Sequence, residues 1–331
     1  MGGLSSMSDQ KITFHEYGGP EVLRLESFTP RQPEAGEVLV RMTAIGLNFI
    51  DTYQRSGLYP IPLPSGAGNE GAGVVEEVGD GVTHVAVGDR VAFCGGALGA
   101  YTTRMTRPAA TVVKLPDDIS DDDAAAVMLK GLTVQYLIRQ IYPVQAGETV
   151  LFHAIAGGVG TLATQWLKAL GVTIIGTAGS QEKADMAKSF GCDHVILYNE
   201  ENVPERVAEI TGGAKLPVVF DSVGKATFMD SLDCLRPRGL MITYGNASGA
   251  VTDLNVGVLA AKGSLMLTRP TLATFTATQE QLQTGSDDLF SFMRSGAIKT
   301  SINQRYQLED AAQAHIDLES RKTTGQTLII P

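Results

Sequence analysis

The sequence predicts an α/β protein in which a mostly antiparallel β domain is combined with a doubly wound parallel sheet. Three observations predict this fold class. The chain has 331 residues, which suits two domains of ordinary size. Short apolar segments bounded by glycine or proline fill its first third. From about residue 131, strand and helix patterns alternate, as in sheets that are covered by helices on both faces.

The first third is predicted to form short strands joined by turns. Spacing of this kind is typical of a barrel-like domain. A short helix at Asn48–Ser56 and the glycine-rich stretch Gly66–Gly73 interrupt the strands. The predicted strands are Lys11–Tyr17, Val22–Ser27, Glu37–Ala44, Val74–Val78 and Arg90–Phe93.

The middle of the chain alternates strands with helices. Its strands are nearly continuous apolar runs, which is expected for a parallel sheet buried on both faces. Six such strands complete a Rossmann sheet. They are Thr149–His153, Val172–Thr177, His194–Leu197, Pro217–Asp221, Leu240–Tyr244 and Ser264–Thr268. The helices between them are Gly160–Leu170, Gln181–Phe190, Pro204–Ile210, Ala226–Leu235 and Leu254–Ala261. The tail is predicted as a helix at Thr278–Ser295, a strand near Tyr306, a helix at Glu309–Ser320 and a strand at Thr327–Ile330.

Charge and cysteine content limit the classes of partner and compartment. The net charge of −10 argues against nucleic acids and anionic membranes as partners, because both attract basic surfaces. The three cysteines form no C-x-x-C pair, which excludes a sequence-local zinc knuckle and suits a reducing compartment. No apolar leader is present, so we expect a cytoplasmic protein. Gly2 and Ser6 fit the loose myristoylation pattern, but we interpret Met7 as the natural start.

The strongest motif is a glycine-rich turn between a predicted strand and a predicted helix. Glycines in this context let the chain turn tightly and let backbone N–H groups approach a pyrophosphate at the helix N-terminus. The sequence therefore predicts a dinucleotide site. Its residues are Ala156, Gly157, Gly158, Val159 and Gly160.

The end of the second strand of this sheet favours NADPH over NADH. An acidic residue there would hold the ribose 2′-hydroxyl of NAD. The strand Val172–Thr177 is followed instead by Ala178 and Gly179, and then by Ser180 and Lys183. A hydroxyl and a cation suit a 2′-phosphate, although Glu182 is an unfavourable neighbour for one.

Several separate stretches together resemble the zinc-independent quinone oxidoreductase (zeta-crystallin-like) family of the medium-chain dehydrogenase/reductase superfamily. The resemblance covers nearly all of the chain after its first ten residues. It is carried by Gly46–Pro60 (GLNFIDTYQRSGLYP), Gly68–Gly73 (GNEGAG), Lys130–Val134 (KGLTV), Ala156–Gly160 (AGGVG), Phe220–Gly224 (FDSVG), Tyr244–Gly249 (YGNASG) and Glu319–Gly325 (ESRKTTG).

This resemblance implies that no zinc is bound. Zinc alcohol dehydrogenases of the superfamily have metal ligands where this chain has Asn48, Asn69 and Leu129. Their four-cysteine structural lobe has no counterpart either, because only Cys94 lies in that region. Without a Lewis acid the hydride acceptor must itself be electrophilic, as a quinone is. We therefore expect metal-free hydride transfer from NADPH to a small quinone.

The family places its substrate pocket near Asn48, Asp51, Tyr53 and Tyr59. We expect Tyr53 to donate to the acceptor oxygen and Asn48 to orient the nicotinamide ribose or the acceptor. Helix capping and plain packing are the alternative roles for these two residues. Asp51 is equally compatible with a structural role.

The resemblance also implies cofactor contacts on several other segments. Thr133 is expected at the nicotinamide ribose, Tyr198 against the adenine, and Arg321 at a cofactor phosphate. Tyr244, Gly245 and Asn246 follow the fifth strand and Arg269 follows the sixth, at the sheet edge where ligands bind. The five histidines show no ligand spacing and are interpreted as structural or surface residues.

The family resemblance implies a GroES-like domain formed by residues 7–131 and 272–331, with a Rossmann domain at 132–271 between them. It also implies a homodimer formed through the cofactor domain. Two alternatives to quinone reduction remain open. One is reduction of the C=C bond of enals, enones or enoyl thioesters on the same fold. The other is a non-catalytic NADP(H)-binding sensor, which would bind cofactor without turnover.

Overall fold

The computed structural model describes Ser8–Pro331. Met1–Met7, with the myristoylation pattern and the expected start at Met7, lie outside the described residues. The chain divides into two compact units. The first comprises the described part of Met1–Leu129 with Thr276–Phe290 and Thr300–Pro331, and the second comprises Lys130–Phe275 with Ser291–Lys299.

The elements of the N-terminal part are mostly short strands. The strands are β1 (Asp9–Phe14), β2 (Arg24–Phe28), β3 (Glu37–Gly46), β4 (Ser65–Gly66), β5 (Glu70–Val78), β6 (Arg90–Cys94), β7 (Arg104–Pro108) and β8 (Val113–Lys114). The helices are α1 (Phe49–Ser56) and α2 (Asp121–Gln135), with a π-helical turn at Tyr136–Ile141 and 3₁₀ turns at Pro20–Val22 and Ala109–Thr111.

The middle part alternates strands and helices. Its strands are β9 (Thr149–Phe152), β10 (Thr173–Ala178), β11 (His194–Leu197), β12 (Leu216–Asp221), β13 (Leu235–Thr243) and β14 (Met266–Thr268). Its helices are α3 (Gly158–Ala169), α4 (Gln181–Ser189), α5 (Val203–Ile210), α6 (Phe228–Asp233), α7 (Gly257–Ala261) and α8 (Leu272–Phe275). The tail contains α9 (Gln279–Arg294), β15 (Ile302–Gln307), a 3₁₀ turn at Leu308–Asp310, α10 (Ala311–Glu319) and β16 (Gln326–Ile330).

The first unit is built on a three-stranded sheet and a larger, seven-stranded sheet. The three-stranded sheet has the order β2-β1-β4, and the larger sheet runs β15-β16-β3-β5-β6-β8 with β7 also paired to β3. Most pairings are antiparallel, but β15 and β16 run parallel. Both chain ends thus contribute strands to one sheet, and a single hydrophobic core contains residues of both, such as Val40 and Ile329.

The stretch Gly66–Gly73, expected as an interruption between strands, belongs largely to strands. Gly66 ends β4, and β5 begins at Glu70. The glycines are needed because β3 lies very close to β5. A Cβ atom added at Gly73 would lie 2.2 Å from the carbonyl oxygen of Arg41, and one at Gly71 would lie 2.4 Å from Met42 Cε. Here glycine permits close strand pairing rather than a turn.

The second unit is built on a parallel six-stranded sheet with the order β11-β10-β9-β12-β13-β14. The order reverses between β9 and β12, which is the arrangement of a full Rossmann sheet. Leu151 on β9 and Val219 on β12 are fully buried, as strands covered on both faces should be. The structure confirms the predicted doubly wound sheet. The strand and helix bounds differ from those predicted mainly at their ends, where periodicity is least informative.

Helix α2 is not predicted from the sequence pattern. Its central residues Ala124–Met128 are all fully buried, so the helix has no polar face and no amphipathic period. Ser120 caps its start, since Ser120 Oγ accepts from the backbone N–H of Asp123 at 3.0 Å. Within Ser8–Pro331, no helix is both long and apolar enough to cross a membrane.

Candidate active site and dinucleotide site

Asn48 lies at the junction between β3 and α1, in the first unit. It is extended (φ −138°, ψ 154°) and precedes the first residue of α1. Its backbone N–H donates to Asp51 Oδ2 at 3.0 Å, and its side-chain Nδ2 donates to Glu70 Oε1 at 2.8 Å. Both carboxylates are buried, so these bonds hold the side-chain amide in one orientation.

Asp51 accepts hydrogen bonds from two loops of this unit that lie outside α1. Its Oδ2 accepts from the hydroxyl of Tyr101 at 2.7 Å, and its Oδ1 accepts from Asn69 Nδ2 at 2.7 Å. Asn69 is itself buried, and its Nδ2 also donates to Gln54 Oε1 at 2.7 Å. Asp51 therefore ties the N-terminus of α1 to the chain around Asn69 and Tyr101.

The network continues from Tyr101 into the C-terminal helix α10. His315 Nε2 lies 3.1 Å from the Tyr101 hydroxyl, and His315 Nδ1 lies 3.0 Å from Arg55 Nη1. Arg55, on α1, also binds Glu319 through two nitrogens, at 2.7 and 3.0 Å. Burial, with a smaller effect of the Arg55 charge, lowers the pKa of His315 to about 3. The ring is therefore neutral at ordinary pH.

Glu70 supports the region that the resemblance relates to a metal site. Its Oε2 accepts from the backbone N–H of Leu129 at 2.6 Å, and its side chain is fully buried. The Glu70 carboxylate packs directly against Gly46 at the end of β3, since a Cβ atom at Gly46 would lie 2.1 Å from Glu70 Oε1. Among the described residues, no group of three or more His, Cys, Asp or Glu side chains is placed to hold a metal ion.

Tyr53 and Tyr59 form an aromatic pair beside this network. Their ring centroids are 5.1 Å apart, and the backbone N–H of Tyr59 donates to the carbonyl of Tyr53 at 3.0 Å. Phe49 stacks on Tyr53 with ring centroids 6.3 Å apart and is 38% exposed. The rings of Phe49 and Tyr53 on α1, with Tyr59 just after it, form an aromatic group of the kind that packs against a planar acceptor.

In the second unit, the glycine-rich turn leads from β9 into α3. Ala154 adopts a left-handed conformation (φ 51°), and Gly157 caps α3 without any side-chain hydrogen bond. A Cβ atom at Gly160 would lie 2.4 Å from the carbonyl oxygen of Ile155, so only glycine permits this close contact of helix and turn. The residues present therefore fit the pyrophosphate of a dinucleotide at the α3 N-terminus.

The two residues that we expect at a 2′-phosphate lie at the start of α4, just after β10. Ser180 is the N-cap of α4, and its Oγ accepts from the backbone N–H of Lys183 at 3.3 Å. Tyr198 lies close by, because a Cβ atom at Gly179 would lie 2.6 Å from the Tyr198 hydroxyl. The tyrosine is 40% exposed.

The remaining expected cofactor residues lie on separate segments. Tyr244, Gly245 and Asn246 directly follow β13, at the carboxyl edge of the sheet. Arg269 follows β14, and its Nη1 donates to the carbonyl of Pro270 at 2.8 Å. Thr133 is buried on α2, and Arg321 follows α10 with a left-handed backbone (φ 60°).

The sequence patterns did not single out Tyr101, Arg55 or His315. Among these network residues, three are polar residues at buried positions of helices: Asp51, Arg55 and His315. A sequence reveals such positions only once the apolar face of each helix is known.

Two family models match the chain. Residues 34–117 match the alcohol dehydrogenase GroES-like domain, and residues 158–288 match the zinc-binding dehydrogenase domain. Over 97% of its length, the chain is 56% identical to a quinone oxidoreductase of Pseudomonas aeruginosa, of which the match covers 99%. The chain belongs to the quinone oxidoreductase family. This confirms the resemblance, and the GroES-like match confirms the fold class of the first unit.

Solved structures of the quinone oxidoreductase family share this fold closely. A structure of the Escherichia coli quinone oxidoreductase complexed with NADPH superimposes with a TM-score of 0.96 at 53% identity, covering 97% of this chain and 100% of that chain. A 2-haloacrylate reductase of a Burkholderia species is a more distant relative, with 43% identity over 96% of this chain and 97% of its own.

Proposed function

We propose that this protein is an NADPH:quinone oxidoreductase that works without a metal ion. The observation that carries the proposal is its identity of 56%, over nearly the full length, to a quinone oxidoreductase. The geometry agrees with it, because Asn48 and Asn69 bind carboxylates where the zinc enzymes of the superfamily hold ligands. When bound, NADPH supplies the hydride.

Ala156–Gly160 would receive the pyrophosphate, with Ser180 and Lys183 at the 2′-phosphate and Tyr198 against the adenine. The cofactor site would be completed by Tyr244, Gly245, Asn246, Thr133, Arg269 and Arg321. The contact of Gly160 with Ile155 and the Ser180 cap support this assignment. So does the printed description of the E. coli relative as an NADPH complex.

Asn48 and Tyr53 are the proposed active-site pair. Reduction of a quinone by hydride leaves negative charge on the acceptor oxygen, which a preorganised donor stabilises. Tyr53 would donate a hydrogen bond from its hydroxyl to that oxygen. Asn48 would orient the reactants, since Asp51 and Glu70 fix its backbone and amide. Tyr59 supports the Tyr53 ring through their aromatic contact.

The assembly and the compartment are also proposals. Strand β14 lies at the edge of the six-stranded sheet, and Met266 on it is 54% exposed. A second copy would extend the sheet at this edge into a homodimer. The chain would act in the cytoplasm, where its three free, buried cysteines stay reduced. We keep 7–131 with 272–331, and 132–271, as its proposed domain bounds.

The test is oxidation of NADPH by an ortho-quinone, using protein that has been treated with a chelator and desalted. We expect rapid loss of the reduced-nicotinamide absorbance, at the same rate before and after chelation. A large loss of rate that added zinc restores would contradict the metal-free proposal. The absence of turnover with any quinone, while NADPH still binds, would contradict quinone reduction.

The second candidate is reduction of an activated C=C bond, which the 43% identity to a 2-haloacrylate reductase favours. The same hydride transfer would then give a saturated product rather than a hydroquinone. Product analysis with 2-chloroacrylate and with a quinone, at equal enzyme concentration, separates the two. Faster turnover of 2-chloroacrylate would favour this second candidate.

A further inference from the structure

A continuous chain of buried hydrogen bonds crosses the ends of three strands in the second unit. His153 directly follows β9, Thr177 lies on β10 and Asp221 ends β12, and Ser231 on α6 completes the chain. All four side chains are at most 2% exposed. The distances are 3.0 Å from His153 Nδ1 to Thr177 Oγ1, 2.8 Å from His153 Nε2 to Ser231 Oγ, and 2.7 Å from Ser231 Oγ to Asp221 Oδ2.

The hydrogen bonds of this chain have one consistent direction. A carboxylate only accepts, so the single hydroxyl hydrogen of Ser231 points to Asp221. Ser231 Oγ must then accept from His153 Nε2, which therefore carries the ring hydrogen. Burial lowers the pKa of His153, so the ring stays neutral and its Nδ1 accepts from the Thr177 hydroxyl.

At both ends of this hydrogen-bond chain, a side-chain oxygen accepts from backbone N–H groups of loops. Thr177 Oγ1 accepts from the backbone N–H of Ala154 at 3.2 Å, two residues before the glycine-rich turn Ala156–Gly160. Asp221 Oδ1 accepts from the backbone N–H of Val223 at 2.8 Å and from that of Gly224 at 3.1 Å. The hydrogen-bond chain thus joins the loop after β9 to the loop after β12.

The second of these loops in turn holds the loop after β13. The carbonyl oxygen of Val223 accepts from the backbone N–H of Ser248 at 2.8 Å and from its hydroxyl at 2.7 Å. A Cβ atom at Gly245 would lie 2.6 Å from the carbonyl oxygen of Ser222. Three loops at the carboxyl edge of the sheet, where ligands of such sheets bind, therefore share one support.

We propose that His153, Ser231 and Asp221 are positioning residues for the dinucleotide site, which set NADPH affinity by fixing these loops relative to one another. The inference rests on the proposed function, because it takes NADPH as the ligand of those loops. None of the three side chains is exposed enough to touch a ligand. Their effect passes through the backbone of Ala154 at one end and Val223 at the other.

Direct binding of NADPH, measured through the fluorescence of NADPH, tests this proposal without turnover. We expect Ser231→Ala and His153→Leu each to raise the Kd for NADPH about tenfold, which corresponds to about 1.4 kcal/mol. His153→Gln keeps a donor toward Ser231 and should stay within about threefold of the wild-type Kd. This pair of His153 variants separates loss of the hydrogen bond from loss of the ring.

The control is Val207→Ala on α5. Val207 is a fully buried core residue of the same unit and does not belong to the hydrogen-bond chain. It should lower the melting temperature while leaving the Kd nearly unchanged. Amide exchange without NADPH gives a second readout. Ser231→Ala should speed exchange at Val223 and Ala154 relative to Leu151 in the centre of the sheet.

Two results would overturn the inference. In the first, Ser231→Ala and His153→Leu lower the melting temperature as Val207→Ala does but bind NADPH like the wild type. The hydrogen-bond chain is then merely structural, and the proposed function stands. If the wild-type protein itself binds no NADPH, the inference and the proposed function fail together.

Discussion

Tyr101 donates its hydroxyl hydrogen to Oδ2 of Asp51 across 2.7 Å, and both side chains are at most 2% exposed. Because that hydrogen is used, the Tyr101 oxygen accepts from His315 Nε2, and His315 Nδ1 accepts from Arg55. One path of hydrogen bonds therefore links α10 to the N-terminus of α1. The position of Asn48, at that N-terminus, depends on it through Asp51.

Removing the Tyr101 hydroxyl should destabilise the protein. Tyr101→Phe takes a donor from Asp51 and an acceptor from His315, and both groups stay buried. The expected loss is about 1–3 kcal/mol in the free energy of unfolding, measured in urea. Tyr306→Phe is the matched control. Its hydroxyl also binds a carboxylate, Asp317, at 2.7 Å, but this pair is only part-buried, so the loss should be clearly smaller. Equal losses would contradict the assigned role of burial.

Folding stability should fall with acid because of His315. Its pKa is lowered by burial to about 3, whereas an unfolded histidine titrates near about 6.5. Between these values the unfolded chain binds more protons, so this contribution is complete above about pH 6.5 and is lost as the pH falls toward 3. The slope attributable to one histidine is about 1.4 kcal/mol per pH unit.

Urea unfolding of wild type and His315→Gln between pH 7 and pH 4.5 measures this slope. The variant should be less stable at pH 7 but should lose less stability on acidification. Since His153 is present in both proteins, its own lowered pKa cancels in the comparison. The exposed His15→Gln variant controls for loss of an imidazole. Parallel curves for wild type and His315→Gln would contradict the prediction.

Lys183→Ala should raise the KM for NADPH about tenfold and leave the KM for NADH unchanged, since only NADPH has a 2′-phosphate. Lys188→Ala, on the same helix α4 but in its last turn, is the control and should change neither value. Steady-state kinetics with both cofactors checks the prediction. An equal rise in both KM values would mean that Lys183 acts on the helix rather than on the phosphate.

Tyr53→Phe should lower kcat with a quinone by about ten- to a hundredfold, with the KM for NADPH unchanged, because a donor to the developing oxyanion is lost. Tyr59→Phe removes the hydroxyl of the adjoining ring and keeps the packing, so its kcat should fall much less. Stopped-flow single turnovers separate hydride transfer from product release. An unchanged rate of hydride transfer in Tyr53→Phe would assign the proton to water.

The fold class, the glycine-rich turn and the family could be predicted from the amino-acid sequence alone. These depend on local features: apolar runs for buried parallel strands, and glycines that the chain needs wherever the backbone comes close to a neighbour or a ligand. The resemblance also implies that Asn48 and Asn69 stand where the zinc enzymes of the superfamily have metal ligands.

Which distant polar residues form one network depends on the folding of the whole chain. Asp51, Tyr101 and His315 lie 50 and 214 residues apart along the chain, and no periodicity links them. The same holds for His153, Ser231 and Asp221. His153 and Asp221 come together because parallel strands bring their carboxyl ends to one edge, and Ser231 on α6 packs between them. Helix α2 was likewise set by tertiary burial, since a helix that is covered on all sides has no polar face for a sequence pattern to reveal.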